Sequence, residues 1–530
     1  MMAGGKQLMD LHDVVLEEIL SYLDGQSLLN ATETCYRINS IVSATDKLMK
    51  KIKLVIKFRE EFRVRYSIKH YLWRLRSLLG SQRRYQSLTI SHVTKDMFNN
   101  RKMRTLLLKI FTKFGANITN LNVWFVELSL CTDFTEMMKN FGNVKICELQ
   151  MVQISPTSVL PDDVQLPMPH LKELFISCCN SFCAETFYSC DNLKKLVLFF
   201  DYYNRSYFAI ESFEDFLLKQ KSLKVLDVGL GASIVERMFK TDRMDEVKFS
   251  LDSLKLQDVY FADKENALKF FQTQKQLKKF DFYLKNEKDR KLDTMQFYEG
   301  ILKHVFQSPV LESVDIVAVT YQFLSMDFLN GITNKSVKKL DFRDFSGVSY
   351  FKKNCEFFQK MTKIFPNLSD VFYEGFGGIE IFAGIASCKN LDTLTIAHQH
   401  NKCLLENIYV SSGKLTTFEY HCCSTEIENE DMMVGDFLML HKTLKNLKVS
   451  TVMTSVLAGA ILEFIPNIEK LNVRCNDLND LYNFGPNYLT KLEKLHSLTL
   501  TLPEQRNDRH QVLPKIPKCC NRPGLEIKFE

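Results

Sequence analysis

The chain has 530 residues, of which 45% are hydrophobic and 25% are charged, and its net charge is +6. This composition is ordinary for a folded globular protein and excludes a disordered or fibrous chain. No stretch of about 18 uncharged apolar residues is present, so we expect no membrane-spanning segment.

Two short helices are predicted in the sequence LHDVVLEEILSYLDGQSLLNATETCYRI, residues 11–38. Leu16, Ile19 and Leu20 have the spacing of one apolar helix face, and Leu28 begins the apolar face of the second helix. A unit of about 40 residues buries too little surface to be stable alone without a disulfide or a metal ion. Its apolar faces must therefore be covered, either by the rest of the chain, as a cap, or by a second protein.

The same residues resemble the F-box family in order and register. The matching positions are Leu11, Val15, Leu16, Ile19, Leu20, Tyr22, Leu23, Leu28, Leu29, Ala31, Thr34, Cys35 and Arg37. The sequence departs from the family pattern at His12, where proline is usual, and at Val14, where an acidic residue is usual. The resemblance implies a small all-α F-box domain over residues 8–52.

An F-box implies binding to a Skp-type adaptor and, through it, to a cullin. The chain would then be the substrate-recognition subunit of an SCF-type cullin-RING ubiquitin ligase, without catalytic residues of its own. The adaptor-binding residues that the resemblance implies are Leu11, Val15, Leu16, Ile19, Leu20, Leu23, Leu28 and Cys35.

A strongly basic segment follows. Residues 47–104 contain 17 lysines and arginines and only three acidic residues, a local balance of +14. We expect residues 53–84 to form a basic helical linker or an N-terminal cap. The cations can form a solvated helix face with Leu72, Leu75 and Leu78 turned inward, or they can bind an acidic protein. A nucleic-acid arm would have a similar composition, but we expect no nucleic-acid partner.

The sequence IEKLNVRCNDL, which begins at Ile468, has the leucine-rich-repeat spacing L-x-x-L-x-L-x-x-N/C-x-L. Sixteen such units, each apolar at its first, fourth and sixth positions, begin at residues 85, 118, 144, 171, 193, 223, 251, 277, 311, 337, 368, 391, 415, 444, 468 and 495. We therefore predict an α/β solenoid of about 16 irregular leucine-rich repeats over residues 85–530, with an insertion at residues 285–294. Such a solenoid binds macromolecules on its concave face.

The side chains between the apolar positions of each strand are expected to point to the concave face. The middle column of this face contains the tentative substrate-binding residues Phe175, Asp227, Asp281, Asp315, Asp341 and Phe372. Several carboxylates on one wall would favour a cationic segment of a protein substrate, although Lys279, Lys339 and Arg343 can instead neutralise them.

Two groups of potential metal ligands lack the C-x2-C pairs of a structural zinc site. They are HQHNKC at 398–403, and Cys178, Cys179, Cys183 and Cys190. Without a secretory signal in MMAGGKQLMD, the fifteen cysteines are expected to be reduced and mostly buried. We expect an intracellular protein, cytoplasmic or nuclear or both, with no metal, no cofactor and no enzymatic activity. The alternative to a ligase subunit is an intracellular repeat scaffold or inhibitor whose opening helices are only a cap.

Overall fold

A computed structural model of the chain describes residues 8–58, 68–155, 166, 168–179, 181–199, 210–229, 243, 246–257, 264–284, 292–318, 326–345, 351–375, 379–398, 413–422, 430–475, 488–501 and 525–529. The chain divides into two compact units. The first contains residues 1–251 and 258–273, and the second contains residues 252–257 and 274–530.

Four short helices open the first unit, after a 3-10 turn at Leu8–Asp10. They are α1 (Asp13–Leu20), α2 (Gly25–Thr34), α3 (Tyr36–Ala44) and α4 (Asp46–Met49). Leu16, Leu20 and Leu28 are buried, as are Ile38 and Val42 of α3. The apolar spacing seen in the sequence is thus the core of the bundle itself.

The rest of the first unit alternates parallel strands with helices. The strands are β1 (Lys53–Lys57), β2 (Ser87–Val93), β3 (Asn120–Leu128), β4 (Ile146–Ile154), β5 (Glu173–Ser177), β6 (Lys195–Phe199) and β7 (Val225–Gly229). The helices are α5 (Ile68–Gly80), α6 (Lys95–Asn99), α7 (Arg101–Gly115), α8 (Cys131–Met138), α9 (Ser181–Glu185), α10 (Ile210–Lys219) and α11 (Lys264–Thr273). Each strand pairs in parallel with the next along the chain.

The second unit has the same construction. Its strands are β8 (Ser253–Gln257), β9 (Lys279–Leu284), β10 (Ser313–Ala318), β11 (Lys339–Asp344), β12 (Asp370–Gly375), β13 (Thr393–His398), β14 (Thr417–Cys422), β15 (Asn446–Val452), β16 (Lys470–Arg474), β17 (Ser497–Thr501) and β18 (Glu526–Phe529). Its helices are α12 (Leu292–Phe306), α13 (Phe351–Ile364), α14 (Ile379–Ser387), α15 (Glu430–Leu440), α16 (Ser455–Phe464) and α17 (Tyr488–Lys491), with a 3-10 turn at Met326–Leu329. Here too each strand pairs in parallel with the next.

The predicted repeat pattern is confirmed. Each of the sixteen triplets coincides with one strand, from β2 to β17, and all three apolar residues of every triplet are buried. Parallel strands in sequence order, with connecting segments on one side, form a leucine-rich-repeat solenoid. Of the predicted insertion at 285–294, residues 285–291 lie outside the described part of the chain, as do Asn476 and Leu478 of the pattern at Ile468.

The parallel sheet begins before the first predicted repeat. Residues 53–57 form β1, which pairs with β2 over its whole length. The basic segment at 53–84 therefore contains β1, which is part of the sheet of the first unit, and the helix α5. None of the helices among the described residues combines the length and the apolar character that a membrane crossing needs.

Candidate protein-binding surfaces

The opening helices leave an apolar stripe uncovered on α1. Val15 and Ile19 of α1, and Tyr22 in the turn directly after it, follow one another at the i, i+4, i+7 spacing and are 45%, 40% and 81% exposed. Leu8 and Val14 are also exposed. A helix that keeps one apolar face toward its own core and a second toward solvent presents a surface for another protein.

The eight adaptor residues implied by the resemblance occupy three different environments. Val15 and Ile19 are exposed, Leu11, Leu23 and Cys35 are half-buried, and Leu16, Leu20 and Leu28 are buried within the bundle. The exposed residues can touch a partner directly, whereas the buried leucines hold the helices that carry them. The exposed residues Leu8, Val14, Tyr22 and Tyr36 are absent from that set of eight.

Arg37 fixes the start of α1 against α3. Its guanidinium donates to the Asp13 carboxylate at 2.5 and 2.9 Å and to the backbone oxygen of Leu11 at 2.7 Å. A second donor of the same side chain reaches the backbone oxygen of Met9. The planar fork of arginine suits this combination of a carboxylate and carbonyl groups. Arg37, one of the positions that match the F-box pattern, is therefore a structural residue, and it fixes the orientation of the helix that carries the exposed stripe.

Close backbone packing shapes the turn between α1 and α2. Asp24 caps α2 by accepting a hydrogen bond from the Ser27 amide at 2.7 Å, which lowers the pKa of Asp24. A Cβ atom on Gly25 would lie 2.1 Å from the backbone oxygen of Lys51. The Lys51 ammonium donates to the carbonyl oxygens of Ser21 and Leu23 at the end of α1. Only glycine allows this approach of two backbones.

Part of the basic segment is engaged in internal contacts. The Arg83 guanidinium donates to Thr32 Oγ1 and to Asn39 Oδ1, both at 2.8 Å, and so joins the residues after α5 to α2 and α3. Arg104 pairs with the buried carboxylate of Asp133 at 2.7 Å and with Glu136 at 2.6 Å. These arginines belong to the architecture of the first unit.

The cations of α5, in contrast, form an exposed face. Lys69, Arg74 and Arg76 are exposed together with Trp73, while Leu75 is buried and Leu72 and Leu78 are half-buried on the opposite side. The inward orientation predicted for the three leucines is thus present. The exposed cations form either a solvated face or a surface for an acidic protein.

In the second unit, three of the predicted substrate-binding carboxylates lie side by side on the sheet face away from the buried residues, here called the open face. Asp315 stands opposite Asp281 on β9 and Asp341 on β11. Burial raises the pKa of Asp315 and of Asp341, against the opposing effect of the neighbouring cations. The structure therefore brings these three residues together in a partly dehydrated row.

Cations from β11 compensate this carboxylate row. Lys339 lies 3.5 Å from Asp341 and 3.6 Å from Asp370, and Arg343 lies 3.6 Å from Asp315. Arg343 also lies 5.3 Å from the ring centroid of Phe372. The chain's own cations therefore reduce the negative potential available to a cationic partner.

The other two predicted substrate residues lie in the first unit. Phe175 on β5 is half-buried, and the Lys195 ammonium sits 4.6 Å from its ring centroid. Asp227 lies on β7. No observation tests whether any of the six residues binds a substrate, so that assignment remains a prediction.

In the cysteine cluster at 178–190, Cys179 and Cys190 are buried and have a structural role. Cys179 donates to the Ser177 backbone oxygen at 3.2 Å and accepts a hydrogen bond from the Val152 amide at 3.4 Å. Burial raises the pKa of Cys190 to about 12, so its thiol is protonated at neutral pH. In the described ranges no three His, Cys, Asp or Glu side chains are grouped to hold a metal ion. Residues 399–403 of HQHNKC lie outside those ranges.

Residues 8–49 match the F-box domain family. Among solved structures, a leucine-rich-repeat protein of Leptospira interrogans is 13% identical with a TM-score of 0.32, and the match covers 84% of this chain and 90% of that one. A protein of Bacteroides fragilis is 8% identical with a TM-score of 0.26, covering 59% and 75%. TLR13 in a complex with ssRNA13 is 13% identical with a TM-score of 0.37, covering 84% and 71%.

No curated protein matches the sequence significantly. All three TM-scores lie below 0.5, so the solenoid is identified by the register and burial of this chain's own strands. The F-box match, in contrast, coincides with the opening helical bundle from its 3-10 turn to α4.

Proposed function

Because the chain is a protein of the F-box and leucine-rich-repeat family, we propose that it is the substrate-recognition subunit of an SCF-type cullin-RING ubiquitin ligase. The F-box binds a Skp-type adaptor, which connects it to a cullin, and the repeats bind the protein to be ubiquitinated. In this role the chain positions its substrate and contributes no catalytic group.

The single observation that carries the proposal is the exposed apolar stripe of α1 within the F-box match. Val15 and Ile19 remain open to solvent although the helix has a complete internal core of its own. Val15 and Ile19 are 45% and 40% exposed, so covering the exposed remainder in a partner contributes about 1 kcal/mol each, less than half of the value for a fully exposed side chain. Leu16, Leu20 and Leu28 contribute indirectly, by holding α1 against α2 and α3.

The attachment of the F-box to the repeats suits a receptor. The hydrogen bonds of Arg83 and the close contact of Gly25 with Lys51 connect the helical bundle to the segments that lead into β2 and β1. A ligase must hold its substrate at a defined distance from the transferred ubiquitin, and a rigid attachment supports that geometry.

Affinity purification from cells tests the proposal. A tagged chain, isolated after proteasome inhibition, should bring down the Skp-type adaptor, a cullin and ubiquitinated proteins. The double variant Val15→Asp/Ile19→Asp should lose adaptor and cullin together and keep the proteins bound by its repeats. Recovery of repeat-bound proteins by the wild type with neither adaptor nor cullin would instead indicate a scaffold or inhibitor outside any ligase.

A further inference from the structure

Four consecutive strands of the first unit carry a left-handed residue at the same level. His92 on β2, Phe125 on β3 and Met151 on β4 have φ angles of 60°, 52° and 52°, and Cys178, directly after β5, has a φ of 53°. The pairing on either side shows that they are aligned, because Ser91, Trp124, Gln150 and Ser177 face one another in turn. These four residues are called the left-handed row below.

The left-handed row interrupts the alternation of buried and exposed residues. In β3, two outward residues, Trp124 and Phe125, stand between the buried residues Val123 and Val126. β4 shows the same arrangement around Met151. In β11, β12 and β15 of the second unit the alternation is strict. In β3 and β4 the extra residue therefore adds one outward side chain, whereas in β2 Ser91 is buried and His92 is half-buried.

This backbone conformation is unfavourable for the residues that adopt it. A Cβ atom clashes with the backbone in the left-handed region, which is why glycine usually occupies it. Among the described residues, these four are the only non-glycine residues with a positive φ. A histidine, a phenylalanine and a methionine thus stand in strained positions. Such strain persists only where the surrounding structure enforces it, and it is concentrated at functional sites.

The row presents soft, apolar side chains to solvent. Phe125 and Met151 are 41% and 39% exposed, and the ring of His92 stacks on that of Phe125 with centroids 5.1 Å apart. An aromatic ring can stack against Phe125 and contact the thioether of Met151, since both groups favour aromatic partners.

The four strands that carry the row have charge of one sign, and cations lie on the strands at either edge, with Lys57 of β1 opposite Ser91 and Lys195 of β6 opposite Glu173. β2, β3, β4 and β5 contain no lysine or arginine, but they carry Glu127, Glu148 and Glu173. In the described part of the chain none of these three carboxylates forms an ion pair. Glu127 lies two residues beyond Phe125 and Glu148 lies three residues before Met151, which corresponds to about 7–10 Å along the strands. An apolar row between Glu127 and Glu148 is complementary to an aromatic residue flanked by cations.

We propose that the left-handed row anchors an extended segment of the bound protein by an aromatic side chain with lysine or arginine on either side. The aromatic ring lies across Phe125 and Met151, and the flanking cations face Glu127 and Glu148. This inference rests on the proposed function of the repeats in substrate binding and defines the class of segment that they bind.

Binding of three labelled peptides to the purified full-length chain tests the inference. The first peptide has eleven residues with one phenylalanine between two pairs of lysines, and the others replace the lysines by glutamates or the phenylalanine by serine. The first should bind at least tenfold more tightly than either of the others, and its affinity should fall as salt rises. Equal binding of the first and third peptides, or no binding of the first, would overturn the inference.

Variants distinguish peptide binding at the row from non-specific binding to other exposed apolar residues. Phe125→Gly and Met151→Gly should each weaken the first peptide at least fivefold without lowering the melting temperature, because glycine removes the side chain and tolerates the left-handed backbone. Val55→Ser is the matched control, since Val55 is an exposed apolar residue of β1 outside the row. Its peptide affinity should equal that of the wild type.

Unchanged peptide binding in both row variants would show that the row is not the anchor. Adaptor binding, which depends on Val15 and Ile19, is measured in the same preparations. A chain that binds adaptor but not the peptide refutes this inference alone, and a chain that binds the peptide but no adaptor refutes the proposed ligase role alone.

Discussion

At the scale of single residues, replacing glycine by alanine should have opposite effects on stability at Gly25 and at Gly459, because the space around the two residues differs. Gly25→Ala places a Cβ atom 2.1 Å from the Lys51 oxygen, and we expect it to destabilise the F-box bundle by about 1–3 kcal/mol. A Cβ atom at Gly459, inside α16, would meet nothing within 4 Å, so Gly459→Ala should stabilise that helix by about 0.5–1 kcal/mol.

Hydrogen exchange measures both effects locally, in peptides that cover residues 13–49 and 455–464. Protection should fall in the first peptide of the Gly25 variant and rise in the second peptide of the Gly459 variant. Unchanged protection around Gly25 would show that the two backbones can separate at little cost.

Asp315 has a predictable dependence on pH. Burial raises its pKa, so the folded state holds this proton more tightly than the unfolded state does. The resulting stabilisation is present below the ordinary pKa of aspartate and is lost as the pH rises through the raised value. Asp315→Asn should therefore raise the melting temperature at pH 7, and the difference should shrink toward pH 4.

The partners of Arg343 support this expectation. In the Asp315→Asn variant, the Arg343 guanidinium still has two partners, the Glu374 carboxylate at 3.9 Å and the ring of Phe372. A lower melting temperature of Asp315→Asn at pH 7 would mean that attraction to Arg343 outweighs the cost of burying the carboxylate.

At the scale of elements, Arg83 connects the F-box helices to the sheet. Its two hydrogen bonds come from a charged donor, and such bonds contribute about 1.5–3 kcal/mol each. Arg83→Ala should increase hydrogen exchange in α2 and α3 while β2 and β3 keep their protection. Arg84→Ala is the matched control, since Arg84 is exposed and should leave both regions unchanged.

The strands were predictable from sequence because burial requires the same three apolar positions in every repeat. The triplet Val337, Leu340 and Phe342 and its counterparts fix strand, register and inward face together. The left-handed row was not predictable in this way. Trp124 and Phe125 read as ordinary hydrophobic residues of a strand, and only the backbone shows that both point outward.

The helical bundle shows a second feature that could not be predicted from the sequence, namely which side of α1 faces the core. Spacing identifies Leu16 and Ile19 alike as apolar residues of α1, but it does not tell which side faces the chain's own core. The structure separates them, with Leu16 buried and Ile19 exposed. Aspartate at Leu16 would therefore disrupt the bundle, whereas aspartate at Ile19 changes the surface alone.

At the scale of the whole molecule, cations and carboxylates occupy different regions. The basic segment adjoins the F-box, the open face of β2–β5 has only carboxylates, and β9–β12 pair both signs. We therefore expect partners of different charge to bind different surfaces, since complementary potentials steer association. The exposed apolar stripe of α1 is the proposed adaptor-binding surface, and we expect binding there to be less sensitive to salt than peptide binding at the left-handed row, because the stripe offers mainly apolar contact.

The affinity of the purified chain for a purified Skp-type adaptor, measured by calorimetry, tests the central claim most directly. The wild type should bind in a 1:1 ratio. Ile19→Asp should weaken binding by at least thirtyfold, or about 2 kcal/mol, because it places a charge in a dry contact. Val456→Asp, at an exposed valine of α16, should bind like the wild type. No binding by a folded wild type, or equal binding by Ile19→Asp, would contradict the account.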